Sequence, residues 1–273
     1  MKNTILIPTD FSENAQNAIR YAIRFFGSES KFILLNTWQT PYTPPEVLIS
    51  IEDILMKTSK EGLENELQWI KKSPEFENVY FETISEFGNL VDVIKSVVRE
   101  KKVDFVAMGT QGATGLRQTL LGSNTSAAAK SLSCPLLVIP AEANFKGIKN
   151  VVFAADYKEI ENLSAFKIMV DLVKQHNAEV SVLNVLDKAK ITTVQEGYEG
   201  IKIDHQLAGV KHNFSFIEHD DKAAGIDEFL QTNKPDVLIV MERKTGFFRS
   251  IFHKSITKQM AFHTHVPMMV LHA

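Results

Sequence analysis

The chain has 273 residues, 30 Lys+Arg against 33 Asp+Glu, 44% hydrophobic and 23% charged content. That length exceeds what one hydrophobic core comfortably organises, so two domains are expected, and the composition excludes wholesale disorder. A net charge of -3 excludes the basic footprint of a general nucleic-acid binder, and the one cysteine, Cys134, excludes a disulfide framework or a cysteine-built zinc site. The opening MKNTILIPTDFS has a four-residue apolar patch before Pro8, too short for a signal-peptide core, and no 18-residue apolar run follows. The expectation is a soluble cytoplasmic protein with neither DNA nor membrane as partner.

In chain order, residues 4–9, 31–38, 78–84, 103–108 and 135–140 predict strands. They are nearly continuous in Val, Ile, Leu and Phe, the pattern of strands buried on both faces. Residues 13–26, 46–72, 89–101 and 122–132 between them carry helical spacing. The series then starts again. ILIPTD at 5–10 is echoed by VFAAD at 152–156, and Asn36, Asp104 and Pro135 are answered by Asn184, Asp236 and Pro267. Further strands are predicted at 150–155, 179–186, 211–218, 236–241 and 267–271, with a short second helix inside 192–208. Alternation of strands and helices means right-handed βαβ crossovers and parallel sheets. The fold class is therefore α/β: two tandem, open, five-stranded parallel sheets, Rossmann-like, over residues 1–143 and 148–273.

Ligands of open α/β sheets sit outside the carboxyl ends of the strands. After the fourth strand the first copy reads GTQGATGLRQTLLGSNTSAAAK over 109–130. Glycines there let backbone approach a ligand closely. Gly122-Ser123-Asn124-Thr125 opens a helix with small polar residues where an N-cap belongs, and a helix N-terminus suits a phosphate. By composition alone, turns and an N-cap explain the stretch equally well. Asp10 has two readings as well. At the end of the first strand it is a carboxylate for ribose hydroxyls; with Glu13 three residues on, it is the N-cap of a capping box.

The spacing is more specific. Gly109 and Gly112 bracket two residues, Gly112 and Gly122 bracket nine, and Ser123 follows directly. This resembles the G-2x-G-9x-G-S/T loop of the ATP-binding branch of the universal stress protein family, and PTDFSENA at 8–15 resembles that family's first strand-to-helix turn. Both halves share the likeness. It implies a tandem universal stress protein binding ATP, or ADP or AMP, with Mg²⁺ on the phosphates. Pro8, Thr9 and Asp10 would face the ribose or adenine, Thr37 would meet the adenine and Met108 would line the floor. Gly109, Gly112, Gly122, Ser123, Asn124 and Thr125 would hold ribose and phosphates. The resemblance further implies a stress-response sensor or adaptor with slow or no hydrolysis. It implies pairing of the two domains within the chain, a possible homodimer and an unknown protein partner. The alternative is a nucleotide-free interaction module of the same fold.

The second copy reads MERKTGFFRSIFHKSITKQMAF over 241–262, where Met241 replaces the first glycine and only Gly246 remains. One nucleotide site is therefore expected, in the first half. Arg243, Lys244, Arg249, Lys254 and Lys258 read as a solvated face or as a side-chain anion site. Phe247, Phe248 and Phe252 read as filling the vacated pocket or an interface. No Walker loop and no G-x-G-x-x-G is present. The His263-Thr264-His265 pair lacks the carboxylate–histidine set of a metal site, and Cys134 lacks a neighbouring base. Neither a catalytic residue nor a metal ligand is assigned.

Overall fold

A computed structural model describes residues 3–40, 45–110, 122–155, 163–186, 194–242 and 265–272. The chain forms two compact units, divided in sequence between Glu142 and Ala143.

In the first unit the elements run β1 (Thr4–Pro8), α1 (Glu13–Phe26), β2 (Lys31–Trp38), α2 (Pro45–Lys71), a 3-10 turn at Pro74–Phe76, β3 (Tyr80–Phe87), α3 (Leu90–Lys101), β4 (Phe105–Gly109), α4 (Ser123–Ser131) and β5 (Leu136–Ile139). The strand order is β3-β2-β1-β4-β5, every pairing parallel. Order reverses between β1 and β4. Crossovers on the two sides of that point run in opposite directions, so right-handedness puts α1 and α2 on one face and α3 and α4 on the other. The central strands are dry on both sides: Ile5, Leu6, Leu34, Leu35, Val106 and Ala107 are fully buried. α1 meets the sheet through Ala15, Ala18, Ile19, Ala22, Ile23 and Phe26, a stripe at helical spacing.

The second unit runs β6 (Asn150–Ala154), α5 (Leu163–His176), β7 (Glu179–Leu186), α6 (Val194–Gln206), β8 (His212–Glu218), α7 (Lys222–Asn233), β9 (Val237–Glu242) and β10 (Met268–His272). Its order is β10-β9-β6-β7-β8, again all parallel. The expected parallel α/β class and its short second helix are both present.

Two differences from the sequence pattern have one cause. β3 begins at Tyr80, not 78, and extends to Phe87; β3 and β8 are not continuously buried. Both are edge strands, with a sheet neighbour on one side only. Val79 still belongs to the preceding turn, its N–H bonded to the Phe76 carbonyl at 3.1 Å. On β3, Glu82 takes Lys101 at 2.5 Å and Lys31 at 2.7 Å. These two ammonium groups, Lys101 first, hold its carboxyl below the usual range. Charge of this kind on an edge discourages further strand pairing.

The repeat extends to individual hydrogen bonds. The Asp104 carboxylate accepts from Thr4 N–H at 2.7 Å; that of Asp236 accepts from Asn150 N–H at 2.9 Å. Pro135 and Pro267 each offer a carbonyl, to Val106 and Leu238, both at 2.9 Å. At the other end of the strands, Thr9 N–H donates to the Leu35 carbonyl and Ala155 N–H to the Leu183 carbonyl, both at 2.8 Å. The amide of Asn36 then donates to the Thr9 carbonyl at 2.8 Å, and that of Asn184 to the Ala155 carbonyl at 3.0 Å. An orphaned buried carbonyl costs about 1–3 kcal/mol. Asn36→Ala is therefore expected to destabilise the first unit by that amount. Trp38 and Trp69 both lie there, so urea unfolding followed by tryptophan fluorescence reads this unit alone, and an unchanged midpoint would contradict the assignment.

Candidate functional site

The first unit's candidate site stands at the carboxyl ends of β1 and β4, where strand order reverses. β1 stops its pairing at Pro8↔Leu35, whereas β2 continues alongside β3 to Trp38↔Phe87. The chain leaving β1 is thus free to turn out of the sheet. Pro8 is buried, Thr9 is 6% exposed and Asp10 is exposed. Thr9 Oγ1 accepts from Phe11 N–H at 3.0 Å, and Asp10 Oδ1 accepts from the N–H and hydroxyl of Ser12 at 3.1 and 2.5 Å. Ser12, not Asp10, is the N-cap of α1, its Oγ accepting from Ala15 N–H at 3.2 Å. This corrects the capping-box reading of Asp10: the carboxylate braces the cap residue from outside the helix.

Phe11 adopts φ 65°, a left-handed conformation uncommon for an aromatic residue. Its ring is seated against α2 at Gly62, where an added Cβ would lie 2.4 Å from Cζ. Only glycine admits the ring there.

On the β4 side, Met108 is 5% exposed and Gly109 ends the strand. Thr110 N–H donates to the Ile139 carbonyl at 3.0 Å, and Gly122 N–H donates to the Thr110 carbonyl at 2.6 Å. The two ends of the glycine segment are thereby tied together. Gly112, inside that segment, lies outside the described residues. α4 starts at Ser123 with Gly122 as N-cap and no side chain capping it. Sequence composition placed polar capping residues here; the cap itself is bare. Among the other helices, Ser12, Asn89 and Asp221 cap with their own side chains. Ser123 and Asn124 are exposed, whereas Thr125 is 4% exposed and donates its hydroxyl to the Gly109 carbonyl at 2.8 Å. That hydroxyl proton is committed within the protein, leaving the first-turn backbone amides and the exposed Ser123 and Asn124 side chains as the donors α4 presents. Thr37 stands near the end of β2, half-buried and paired with Glu86.

Two buried polar atoms near this end of the sheet have no partner among the described residues: Trp38 Nε1 and Glu66 Oε1. The Trp38 ring meets Phe87 edge-on at 5.2 Å. Glu66, on α2, is 3% exposed and hydrogen-bonded by Gln16 of α1. Burial first, with a smaller contribution from the charge of Asp10, pushes its carboxyl up from 4.5 to about 7. Glu66 carries a signal in the sequence that charge alone obscures. Ser59, Leu63, Glu66 and Ile70 are all buried, spaced by four, three and four along α2, and an acid sits inside that stripe.

Elsewhere, Cys134 is free and buried, and desolvation pushes its thiol up to about 12, which makes it inert. A cleft of about 410 Å³ in the second unit is lined by Asp227, Leu230, Gln231, Lys234, His265 and Val266. It opens at the amino-terminal ends of β9 and β10, the end that open α/β sheets do not use for ligands. Among the described residues no group of three or more His, Cys, Asp or Glu is arranged to hold a metal ion. No described helix is long and apolar enough to cross a membrane.

In the second unit Met241 takes the place of Gly109, in register with Leu271 as Gly109 is with Ile139. It is 3% exposed. A buried thioether therefore fills the position where the first unit leaves bare backbone. Asp156, the basic and phenylalanine-rich stretch and His263 lie outside the described residues.

An open parallel α/β unit, repeated in tandem, with a glycine-tied segment at the switch point of the first copy, defines the class of protein. The Universal stress protein family model matches residues 1–140 and again 147–272, and the chain belongs to that family. Two universal stress proteins of Methanocaldococcus jannaschii are similar to it. MJ0531 is 31% identical over 50% of this chain and 80% of its own length; MJ0577 is 30% identical over 51% and 95%. A universal stress protein structure from Archaeoglobus fulgidus has the same fold throughout, with a TM-score of 0.75 at 17% identity, covering 100% of this chain and 99% of that one. A family protein of Arabidopsis thaliana was solved with AMP bound. Its likeness here (20% identity, TM-score 0.36, 50% of this chain and 91% of that one) is too slight to carry its ligand across.

The buried acid generates a prediction. Between pH 4.5 and about 7 the folded chain holds a proton on Glu66 that the unfolded chain has released, so stability falls as pH rises through that window. A carboxyl raised from 4.5 to about 7 corresponds to about 3 kcal/mol. Glu66→Gln is expected to leave stability unchanged at pH 4.5 and to raise it at pH 8.5, by up to that amount. Urea titrations at the two pH values measure the difference, and equal effects at both would contradict it.

Proposed function

We propose that the first unit binds one adenine nucleotide, ATP, ADP or AMP, across the carboxyl ends of β1 and β4. In this reading the chain acts as a stress-response sensor or adaptor that hydrolyses nucleotide slowly or not at all. What supports it above all is the N-terminus of α4. Its cap is a glycine with no side chain, and that glycine is held to Thr110, one residue beyond β4. First-turn amides with no side-chain cap, carrying partial positive charge, suit a phosphate.

The remaining roles are those the family resemblance implies. Asp10 is exposed on the turn leaving the neighbouring strand, a carboxylate for ribose hydroxyls. Thr37 meets the adenine through its backbone, and Met108 forms the apolar floor. Gly109 gives the phosphates room, Gly112 and Gly122 let the backbone close over them, and Ser123 adds a hydroxyl. Adenine as the base rests on the resemblance of the Gly109–Ser123 spacing to the family's ATP-binding loop. Mg²⁺ would be held by the phosphates and its own waters. Output then depends on a difference in affinity for nucleotide between two states of the protein or its partner. The second unit, with Met241 in place of the first glycine, is read as unable to form the same cradle.

Gly122→Asp tests this reading without damaging the fold. Gly122 has φ -56°, which any residue adopts, and Asp is a good N-cap. Its carboxylate would occupy and repel at the position assigned to phosphate. The expected result is stability within about 0.5 kcal/mol of the parent and at least about tenfold weaker nucleotide binding. Equilibrium dialysis with labelled ATP, and mass spectrometry of ligand released on denaturation, measure both affinity and stoichiometry. Unchanged affinity overturns the site; two nucleotides per chain overturns the reading of the second unit.

A further inference from the structure

We propose that Glu66 makes nucleotide binding at the Asp10 turn proton-dependent: the site is in its high-affinity form when the Glu66 carboxyl is neutral and weakens when it ionises. The inference rests on the nucleotide reading above and concerns a residue that contacts no ligand in it. Glu66 acts through the turn, as a positioning residue.

The geometry is that of a sealed acid. Glu66 is 3% exposed between α2 and α1, and its Oε1 has no partner among the described residues. One helical turn before it, Gly62 seats the Phe11 ring at the strained position of the β1–α1 turn. One turn after it, Trp69 lies under the guanidinium of Arg20 at 5.0 Å. From α1, Gln16 hydrogen-bonds the carboxyl. Burial in such a place favours the neutral acid and outweighs the Gln16 hydrogen bond, which favours the carboxylate.

The charged neighbours decide the sign. On its own helix the residues three and four positions away are Leu63, Gly62, Trp69 and Ile70, none charged. Along α1, Glu13 is exposed and Arg20 is engaged by Trp69. Asp10, on the turn, is the charge that acts on Glu66, and it opposes ionisation. Ionising Glu66 therefore sets a second negative charge behind the turn that faces the nucleotide. That charge opposes a polyanion directly, and by linkage nucleotide binding must favour the protonated acid. The carboxyl's rise to about 7 places the transition in the neutral range.

The test is calorimetric titration with ADP from pH 5.5 to 8.5, for the full-length chain and its Glu66→Gln variant. The phosphate of ADP titrates identically in both, so only the difference counts. The parent's affinity is expected to fall about three- to tenfold more than the variant's over that range. Parallel curves in two proteins that both bind ADP overturn this inference alone. Absence of ADP binding by either protein at pH 5.5 overturns the nucleotide reading, and this inference with it. A ¹³C carboxyl titration by NMR provides a readout without nucleotide: Asp10→Asn should lower the Glu66 midpoint, and an unmoved midpoint also overturns the inference.

Discussion

The hydrogen bond from the Asn36 side chain to the Thr9 carbonyl is the constraint on which the rest of the first unit depends. A parallel sheet must release its central strand at the switch point, and a released backbone carbonyl beside a dry core needs a donor. Asn36 supplies it from the neighbouring strand at 2.8 Å. With that carbonyl held, Thr9 can turn its hydroxyl to Phe11 N–H, Phe11 can take its left-handed conformation, and Asp10 can stand exposed while bracing Ser12. Each step fixes the next, so the exposed carboxylate stands on a turn whose Thr9 N–H and carbonyl are both bonded from β2. The same donor geometry recurs in the second unit, Asn184 to the Ala155 carbonyl. There it serves a copy with Met241 where the first has Gly109, which identifies the bond as a requirement of the fold.

This separation explains what was legible in the sequence. Asn36 and Asn184, Asp104 and Asp236, and Pro135 and Pro267 stood out because they recur in order, and each pair turns out to satisfy the same backbone group in both units. Duplication makes structural residues visible: drift erases what neither copy needs. The α/β class followed from alternation of buried strands and helical stripes. What remained hidden depends on three-dimensional neighbours. An edge strand such as β3 carries a mixed pattern, so its end at Phe87 was not marked by apolar residues. Asp10 and Ser12 are both capping residue types, and only the direction of the chain, set by Phe11, decides which one caps.

Glu66 was hidden for a related reason. A charged residue on a long helix is usually read as belonging to its solvated face. Only the periodic positions Ser59, Leu63 and Ile70 show that it belongs to the buried face, and the groups that act on it, Gln16 and Asp10, are far away in sequence. The Phe11–Gly62 contact was equally invisible, because Gly62 in a helix interior looks like a weakness. In the fold it is where a side chain would collide with the ring. A helix glycine and a buried acid one turn apart are each unfavourable alone. Together they mark the strip of α2 that lies behind the turn.

At the ends of β4 and β9 the two described units differ in a way that has chemical consequence. Where β4 ends in Gly109 with its carbonyl taken by Thr125, β9 carries buried Met241. The strand register around each position is the same, so the sheet itself does not dictate the difference. A methionine at that place buries apolar area and adds to the core, whereas a glycine forgoes that gain and costs backbone entropy. A chain under no demand but stability would carry the larger residue in both copies. The first copy keeps the less stable choice, beside a helix whose cap is also the less stabilising residue, Gly122. Two concessions converging on one end of one sheet are what a site requires and a core does not. They support the proposal of a ligand at the first unit.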